Sequence, residues 1–208
     1  YPIPTTQIYE VAVWLRKNAA SFGIDPNRIA IAGDSAGGNM AAAVTQMDRD
    51  RGTGLFKAHA LLYAKLTFTN TELPGYSRDE SAFEIVPEQA KFLPGLLRIG
   101  SEPSNAHDEQ MYLQGRYPLT DPYISPAFGK KEGLPRALIL LAEYDGLRLE
   151  GEFYASQLQA AGVPVRVVRY RGIGHGFLDL LGILPQAEAA VEEMAALLKD
   201  RSEERRVG

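Results

Sequence analysis

The 208-residue sequence predicts an α/β fold: a mainly parallel sheet with helices on both faces. Three observations predict it. Short apolar runs rich in small and β-branched residues recur at 28–32, 58–64, 136–144 and 164–170. Segments with helical apolar spacing stand before, between and after them. The apolar fraction, 45%, is that of a globular chain with a sizeable core.

Each element has its own reason. Residues 6–20 read as a helix, with Ile8, Val11, Trp14 and Leu15 at helical spacing. "GIDPNR" is a turn. Residues 28–32 are too short and too apolar for an amphipathic helix and fit a strand buried on both faces. Residues 36–48 form a helix with Met40, Ala43, Val44 and Met47 on one side, and "AHALLYA" (58–64) is the second strand. From about Lys65 to Pro135 the rhythm weakens and turn residues crowd in, as in "NTELPGYSRDES" and "GSEPSNAHDEQ". That length is too great for an unstructured connection, so an inserted, cap-like helical segment is expected at roughly 65–135. Its short helices are expected in "PEQAKFLPGLLRI" and "HDEQMYLQ". Order returns with a strand at 136–144. A helix follows in "GLRLEGEFYASQLQAAG", with Leu149, Phe153, Leu158 and Ala161 inward and Gly162 at its end. A strand at 164–170 precedes a last helix at about 185–199, with a stripe of Ala187, Val191, Met194 and Leu198. Residues 1–200 are thus expected to form one domain, and 201–208 a disordered charged tail.

Composition excludes several functions. The net charge is −4, from 22 basic and 26 acidic residues without a long single-sign block, which argues against nucleic acid as a partner. There are no cysteines, so disulfides, thiolate catalysis and cysteine metal sites are out. The three histidines, His59, His107 and His175, show no metal-ligand spacing, and no metal is expected. No apolar run of about 18 residues exists, so this chain holds no membrane-spanning helix. A cytoplasmic location is the expectation. Because the sequence opens at Tyr1 rather than at a methionine, any preceding signal segment is left open.

The chemistry concentrates at turns. In "GDSAG" (33–37) a serine stands between glycines where a strand gives way directly to a helix. A nucleophile on such a turn takes a strained backbone, and Gly33, Asp34, Gly37 and Gly38 form the elbow around it. Gly33 and Gly37 are expected to be small because side chains there would crowd the turn. The elbow lifts the Ser35 hydroxyl above the sheet, at a helix N-terminus where the Ala36 amide can stabilise an oxyanion. A phosphate-binding helix start is the rival reading, but no P-loop lysine and no G-x-G-x-x-G accompany the motif.

Serine needs a base, and the base an orienting acid. His175, in "GIGHGF", lies in a loop after the last strand. Asp145 ends the strand before it, where capping the next helix is a compatible second role. The order Ser35, Asp145, His175, with each at a strand's C-terminal end, is that of α/β-hydrolases. His59 reads as structural, His107 as solvated, Asp121 as a turn former, and Glu150 as a poorly aimed substitute for the acid.

"IAIAGDSAGGN" resembles the hormone-sensitive lipase family of α/β-hydrolases, the bacterial family IV esterases. "YPIPTTQIYEVAVWL", "DPYISP", "LAEYDGLRLEG" and "GIGHGF" extend the resemblance over nearly the whole chain apart from the tail. It implies a carboxylic-ester hydrolase with Ser35 as nucleophile, Asp145 as acid, His175 as base, and no cofactor. Two features depart from the family. The acid motif D-x-L-R-D-E-G has Leu149 at its second aspartate, and the family's His-Gly-Gly-Gly oxyanion loop is absent from this sequence. The resemblance therefore implies a chain that starts after that loop, with the first strands of the domain missing. Residues 28–32 would then form an unpaired edge in a sheet of four parallel strands, and the chain alone would be weakly active. A peptidase or thioesterase on the same scaffold, or a non-catalytic small-molecule binder, remains open beside the esterase, and nothing in the sequence fixes an oligomeric state.

Overall fold

The computed structural model describes residues 1–69, 73–91, 93–99 and 106–199. The expected tail at 201–208 lies outside them. Strands β1 (Ile29–Asp34), β2 (Phe56–Leu62), β3 (Arg136–Tyr144) and β4 (Val165–Gly174) form a four-stranded sheet in the order β1-β2-β3-β4. Every pairing is parallel, so all four C-terminal ends lie along one rim. Helices that accompany the sheet are α1 (Ile3–Lys17), α2 (Ser35–Asp50), α3 (Leu93–Leu97), α4 (Arg148–Ala160) and α5 (Pro185–Lys199). None is long and apolar enough to cross a membrane.

Alternation along the strands divides the core. Leu61, Ile139 and Leu141 pack with Ala41 and Ala42 of α2 and with Tyr154, Ala155 and Leu158 of α4. Ala60, Leu62, Leu138 and Leu140 pack on the other face, with Ala187 and Ala190 of α5. In β3 every residue from Ala137 to Ala142 is buried, as a strand covered on both faces requires. β1 departs from that expectation. Only Ile29 in it is buried, Ala32 and Asp34 are exposed, and β2 is its one partner among the described residues.

The helices lie where they were expected, but several present other faces. In α1 the buried residues are Thr5, Tyr9 and Ala12, whereas Val11 and Trp14 are mostly exposed. Tyr9 turns inward because its hydroxyl meets Thr53 Oγ1 at 2.8 Å beside α2. In α4, Glu150, Tyr154 and Leu158 point inward, and Leu149 and Phe153 are only half-buried. In α5, Ala187 and Ala190 form the contact while Val191 and Leu198 stay exposed. α2 has no exposed stripe between Gly38 and Met47, apart from half-buried Met40, since it lies under the sheet, α1 and the segment after Ile124 at once.

Between β2 and β3 regular structure is sparse: α3, 3₁₀ turns at Glu80–Ala82 and Pro126–Phe128, and a π turn at Glu109–Leu113. Buried polar side chains satisfy the backbone there instead. Asn39 donates to the carbonyls of Lys65 and Ile124, both at 2.9 Å. Ser125 Oγ accepts the Phe68 amide at 2.9 Å. Glu150 Oε2 accepts the Leu66 and Thr67 amides at 2.7 and 3.0 Å. Burial pushes the Glu150 carboxyl up from 4.5 to about 7, against the opposing pull of Lys65 and of those two amides.

The β1–α2 junction contains no loop residue. Asp34 ends the strand, Ser35 opens the helix, and Ser35 takes φ 50°. A Cβ on Gly33 would lie 2.2 Å from the Gly37 carbonyl oxygen, and one on Gly38 would lie 2.5 Å from Ala64 Cβ. The expectation for Gly37 fails on steric grounds. A Cβ there would meet only Asp34 Oδ1, at an ordinary 3.8 Å. The close approach belongs to Gly33 and Gly38, and what Gly37 contributes is its carbonyl.

Two outcomes follow from this packing. Gly37→Ala should fold and melt no lower than the unsubstituted protein, because alanine gains up to about 1 kcal/mol over glycine inside a helix. Gly33→Ala should unfold or lose several degrees, because backbone must move. Thermal melts by circular dichroism decide, and equal melting of the two variants would contradict the geometry. The second outcome concerns Glu150. Its folded-state pKa lies above the unfolded value, so its favourable contribution is present at low pH and is lost as pH rises from about 4.5 through about 7. Glu150→Gln should therefore gain stability to denaturant relative to the unsubstituted protein as pH goes from 4.5 to 8, by on the order of 3 kcal/mol at most. A constant difference across that range would mean that Glu150 is ionised throughout.

Candidate active site

The rim of the sheet gathers three residues that are remote in sequence. Ser35 leaves β1 at the elbow. Asp145 directly follows β3. His175 directly follows β4, whose last turn is reshaped by a bulge: Ala142 pairs with Tyr170, but Tyr144 pairs with Gly174. Gly172 at φ 74° sits in that bulge, which extends the strand beyond the expected 164–170 and aims its end across the rim.

The three side chains form one chain of hydrogen bonds. His175 Nε2 lies 2.8 Å from Ser35 Oγ, and His175 Nδ1 lies 2.8 Å from Asp145 Oδ2. Asp145 is fully buried, and its Oδ1 accepts the Leu147 amide at 2.9 Å. The expected capping role is not what Asp145 performs: Leu147 stands at the N-cap of α4 without a side-chain cap bond, and Asp145 instead closes the turn ahead of the helix, a bond that coexists with its contact to the ring. An ionised carboxylate can only accept, so the network assigns the ring proton to Nδ1 and leaves Nε2 as acceptor for the serine hydroxyl. The imidazole rests edge-on against Tyr63 at 4.9 Å, and Tyr63 in turn packs on Phe177 at 5.2 Å.

Ala36 stands in the first turn of α2, where helix amides lack intrahelical partners. It lines, with Ser35, Met40, Lys65, Phe68 and Ile99, a cavity of about 370 Å³. A charged pair borders this mainly apolar space. Lys65, nearly buried, reaches Asp108 at 3.2 Å and lies over the Phe68 ring at 4.8 Å.

The remaining candidates stand apart. His59 is wholly buried in β2, has no hydrogen-bond partner on either ring nitrogen among the described residues, and is held neutral by burial, its pKa pushed down to about 4. His107 is exposed. Asp121 accepts the Tyr123 amide at 2.8 Å in a turn. Glu150 spends its one bonded oxygen on the Leu66 and Thr67 amides rather than on His175. No cluster of three metal-ligating side chains occurs among the described residues. Tyr63 and Lys65 join the site without any motif that marks them in the sequence. Their one signal was position, at and just after the end of the second strand, on the rim that Ser35 already marked.

Comparison with known proteins agrees with this architecture. A family model for the alpha/beta hydrolase fold matches residues 1–179. A carboxylesterase of Mycobacterium tuberculosis, NlhH, is 33% identical over 204 residues, covering 96% of this chain and 59% of that protein. An arylesterase of Saccharolobus solfataricus is 32% identical over 202 residues, 96% of this chain and 60% of its own. Among solved structures, the thermophilic carboxylesterase EstE1 from a metagenomic library superposes with a TM-score of 0.80 at 31% identity, over 95% of this chain and 63% of that one. The present chain thus spans about three-fifths of the length of these relatives. With the parallel sheet, the elbow and the motif resemblance in agreement, the chain belongs to the α/β-hydrolase fold family, within the hormone-sensitive lipase group.

Proposed function

We propose that the protein is a serine carboxylic-ester hydrolase that acts through an acyl-enzyme on small esters with short acyl chains. One observation carries the reading: the continuous Ser35–His175–Asp145 hydrogen-bond chain, mounted on a strained elbow that opens into a cavity. The relatives named carboxylesterase and arylesterase support it.

In this reading Ser35 Oγ attacks the ester carbonyl while His175 Nε2 takes its proton. Asp145 holds the tautomer and stabilises the imidazolium. The Ala36 amide donates to the oxyanion of the tetrahedral intermediate. As the intermediate collapses, the C–O bond to the alcohol breaks and Nε2 returns its proton to the departing oxygen. Water, deprotonated by Nε2, then attacks the acyl-enzyme carbonyl, and the proton passes back to Ser35 as the acid leaves. A protein that only bound a ligand would have no use for a serine aligned with this base.

Ser35→Ala should lower kcat by about 10⁴-fold or more with the fold intact, His175→Ala about equally, and Asp145→Asn somewhat less. A serine-directed phosphonate should label Ser35 and no other serine. Substantial ester turnover by Ser35→Ala would sink the assignment. The cavity volume and its charged border support the short-chain preference. Activity on a p-nitrophenyl ester series should peak at short acyl chains, and Lys65→Met should move the optimum longer. An optimum on long-chain emulsified esters would overturn the specificity while leaving the chemistry standing.

A further inference from the structure

Three backbone carbonyls from two chain segments meet beside Asp145. Gly146, the next residue, runs so close to the segment after α3 that a Cβ on it would lie 1.8 Å from the Ile99 oxygen and 2.7 Å from the Leu97 oxygen. Carbonyl oxygens gathered this tightly repel one another unless a donor lies among them. The donor is Arg78. Its Nη1 donates to the Gly146 carbonyl at 3.0 Å, and its Nη2 donates to the carbonyls of Leu97 and, at 3.4 Å, Ile99. A planar guanidinium can serve several acceptors at fixed angles, which a lysine ammonium on a flexible stem does less well.

What Arg78 joins matters more than the bonds themselves. Gly146 sits between Asp145 and Leu147, whose amide the Asp145 carboxylate accepts. Leu147 and Ile99 both line the cavity beside Ser35. The same segment reaches the base, since a Cβ on Gly174, the residue before His175, would lie 2.7 Å from Leu96 Cδ1. We propose that Arg78 is a positioning residue for Asp145: its guanidinium locks the acid's loop to the Ile99 wall of the cavity, so the wall that meets the substrate and the carboxylate that orients His175 move as one body. The proposal rests on the reading of Asp145 as the acid of an ester hydrolase.

Arg148, three residues after Asp145, ties the same connection at other points, through the Glu143 carbonyl at 3.1 Å, the Ala82 carbonyl at 2.8 Å and the Phe83 ring at 4.3 Å. An Arg78 variant therefore keeps an anchor and should fold. In the full chain, Arg78→Ala should lower kcat about 10²-fold with KM changed little, the signature of a misplaced catalytic group. Millimolar guanidinium should restore part of that loss, and Arg78→Lys should fall between the two. A second readout needs no ester. The proton on His175 Nδ1, identified by its loss in His175→Ala, should give a low-field resonance in the unsubstituted protein, vanish by exchange in Arg78→Ala, and return with guanidinium. The proposal is overturned if that resonance is missing from the unsubstituted protein or is unchanged in Arg78→Ala. It is equally overturned if kcat falls only in step with melting temperature and guanidinium leaves it untouched. Ester hydrolysis by Arg78→Ala at the unsubstituted kcat would reject the role of Arg78 and leave the hydrolase reading in place. If the unsubstituted protein hydrolyses no ester, that reading fails, and the Nδ1 proton alone decides whether Arg78 positions Asp145.

Discussion

The left-handed backbone of Ser35 is the constraint on which the rest of the arrangement depends. A non-glycine residue at φ 50° costs on the order of 1–3 kcal/mol, and the surroundings must hold it there. They do so by close approach. Gly33 lets the first turn of α2 fold back onto β1, and Gly38 lets α2 press on Ala64. The neighbouring strand turns as sharply at the same level: Tyr63, just past the end of β2, sits at φ 36°, with its amide on the Leu140 carbonyl at 2.7 Å. Lys65 then donates its own amide to the Ser35 carbonyl at 3.3 Å. Two strained corners on adjacent strands thus brace each other. The tyrosine ring that one corner presents is the surface on which the imidazole of His175, hydrogen-bonded to the serine of the other corner, rests.

Away from the sheet, order comes from buried polar side chains rather than from ladders. Asp48 accepts the amides of Leu55 and Phe56 at 3.0 and 3.2 Å and so closes the turn from α2 into β2. Asn39, Ser125 and Glu150 do the same for the chain after β2. Each is costly to bury, and each becomes worth its burial only because it satisfies amides or carbonyls that would otherwise be orphaned. Glu150 shows the margin: two amides and a nearby lysine do not fully offset the desolvation of its carboxylate, and its pKa stays high.

These two kinds of support explain what the sequence made legible. Strand β3 and the elbow announce themselves because burial on both faces and a loopless turn leave few residue choices. Ser35, Asp145 and His175 follow, because parallel topology fixes which strand ends share a rim. Helix faces were harder. Val11 and Trp14 look like core by periodicity, yet Tyr9 and Ala12 are buried instead, since a hydroxyl partner on Thr53 and a small contact surface against α2 outweigh bulk. Glu150 was legible only as a carboxylate near the acid. Its partners, the Leu66 and Thr67 amides, lie 84 and 83 residues away, beyond any local pattern. Lys65 escaped for the same reason, because a lysine in a turn-rich segment looks solvated until the cavity wall closes over it.

The segment between β2 and β3 is a structural part of the site and no mere addition to it. Its first residues, Ala64 and Lys65, press on α2 and bond to Ser35; its middle, Leu96 to Ile99, packs on the residues flanking Asp145 and His175; its later part supplies Asp108 to the cavity. A loop that only covered a pocket could change freely and alter binding alone. Here a change in the wall displaces the same backbone that fixes the nucleophile, acid and base, so specificity and rate are physically coupled. The coupling is uneven. Lys65 and Asp108 meet through side chains, one of them well exposed, and an exchange there perturbs little backbone. Gly146 meets the backbone of the segment at a distance too close for any added atom, and Gly174 meets the Leu96 side chain, so exchanges opposite them reach the residues beside the acid and the base. Variation that retunes the pocket should therefore be tolerated in the side chains at positions 65 and 108 and resisted along Leu96 to Ile99, although both stretches belong to one irregular connection.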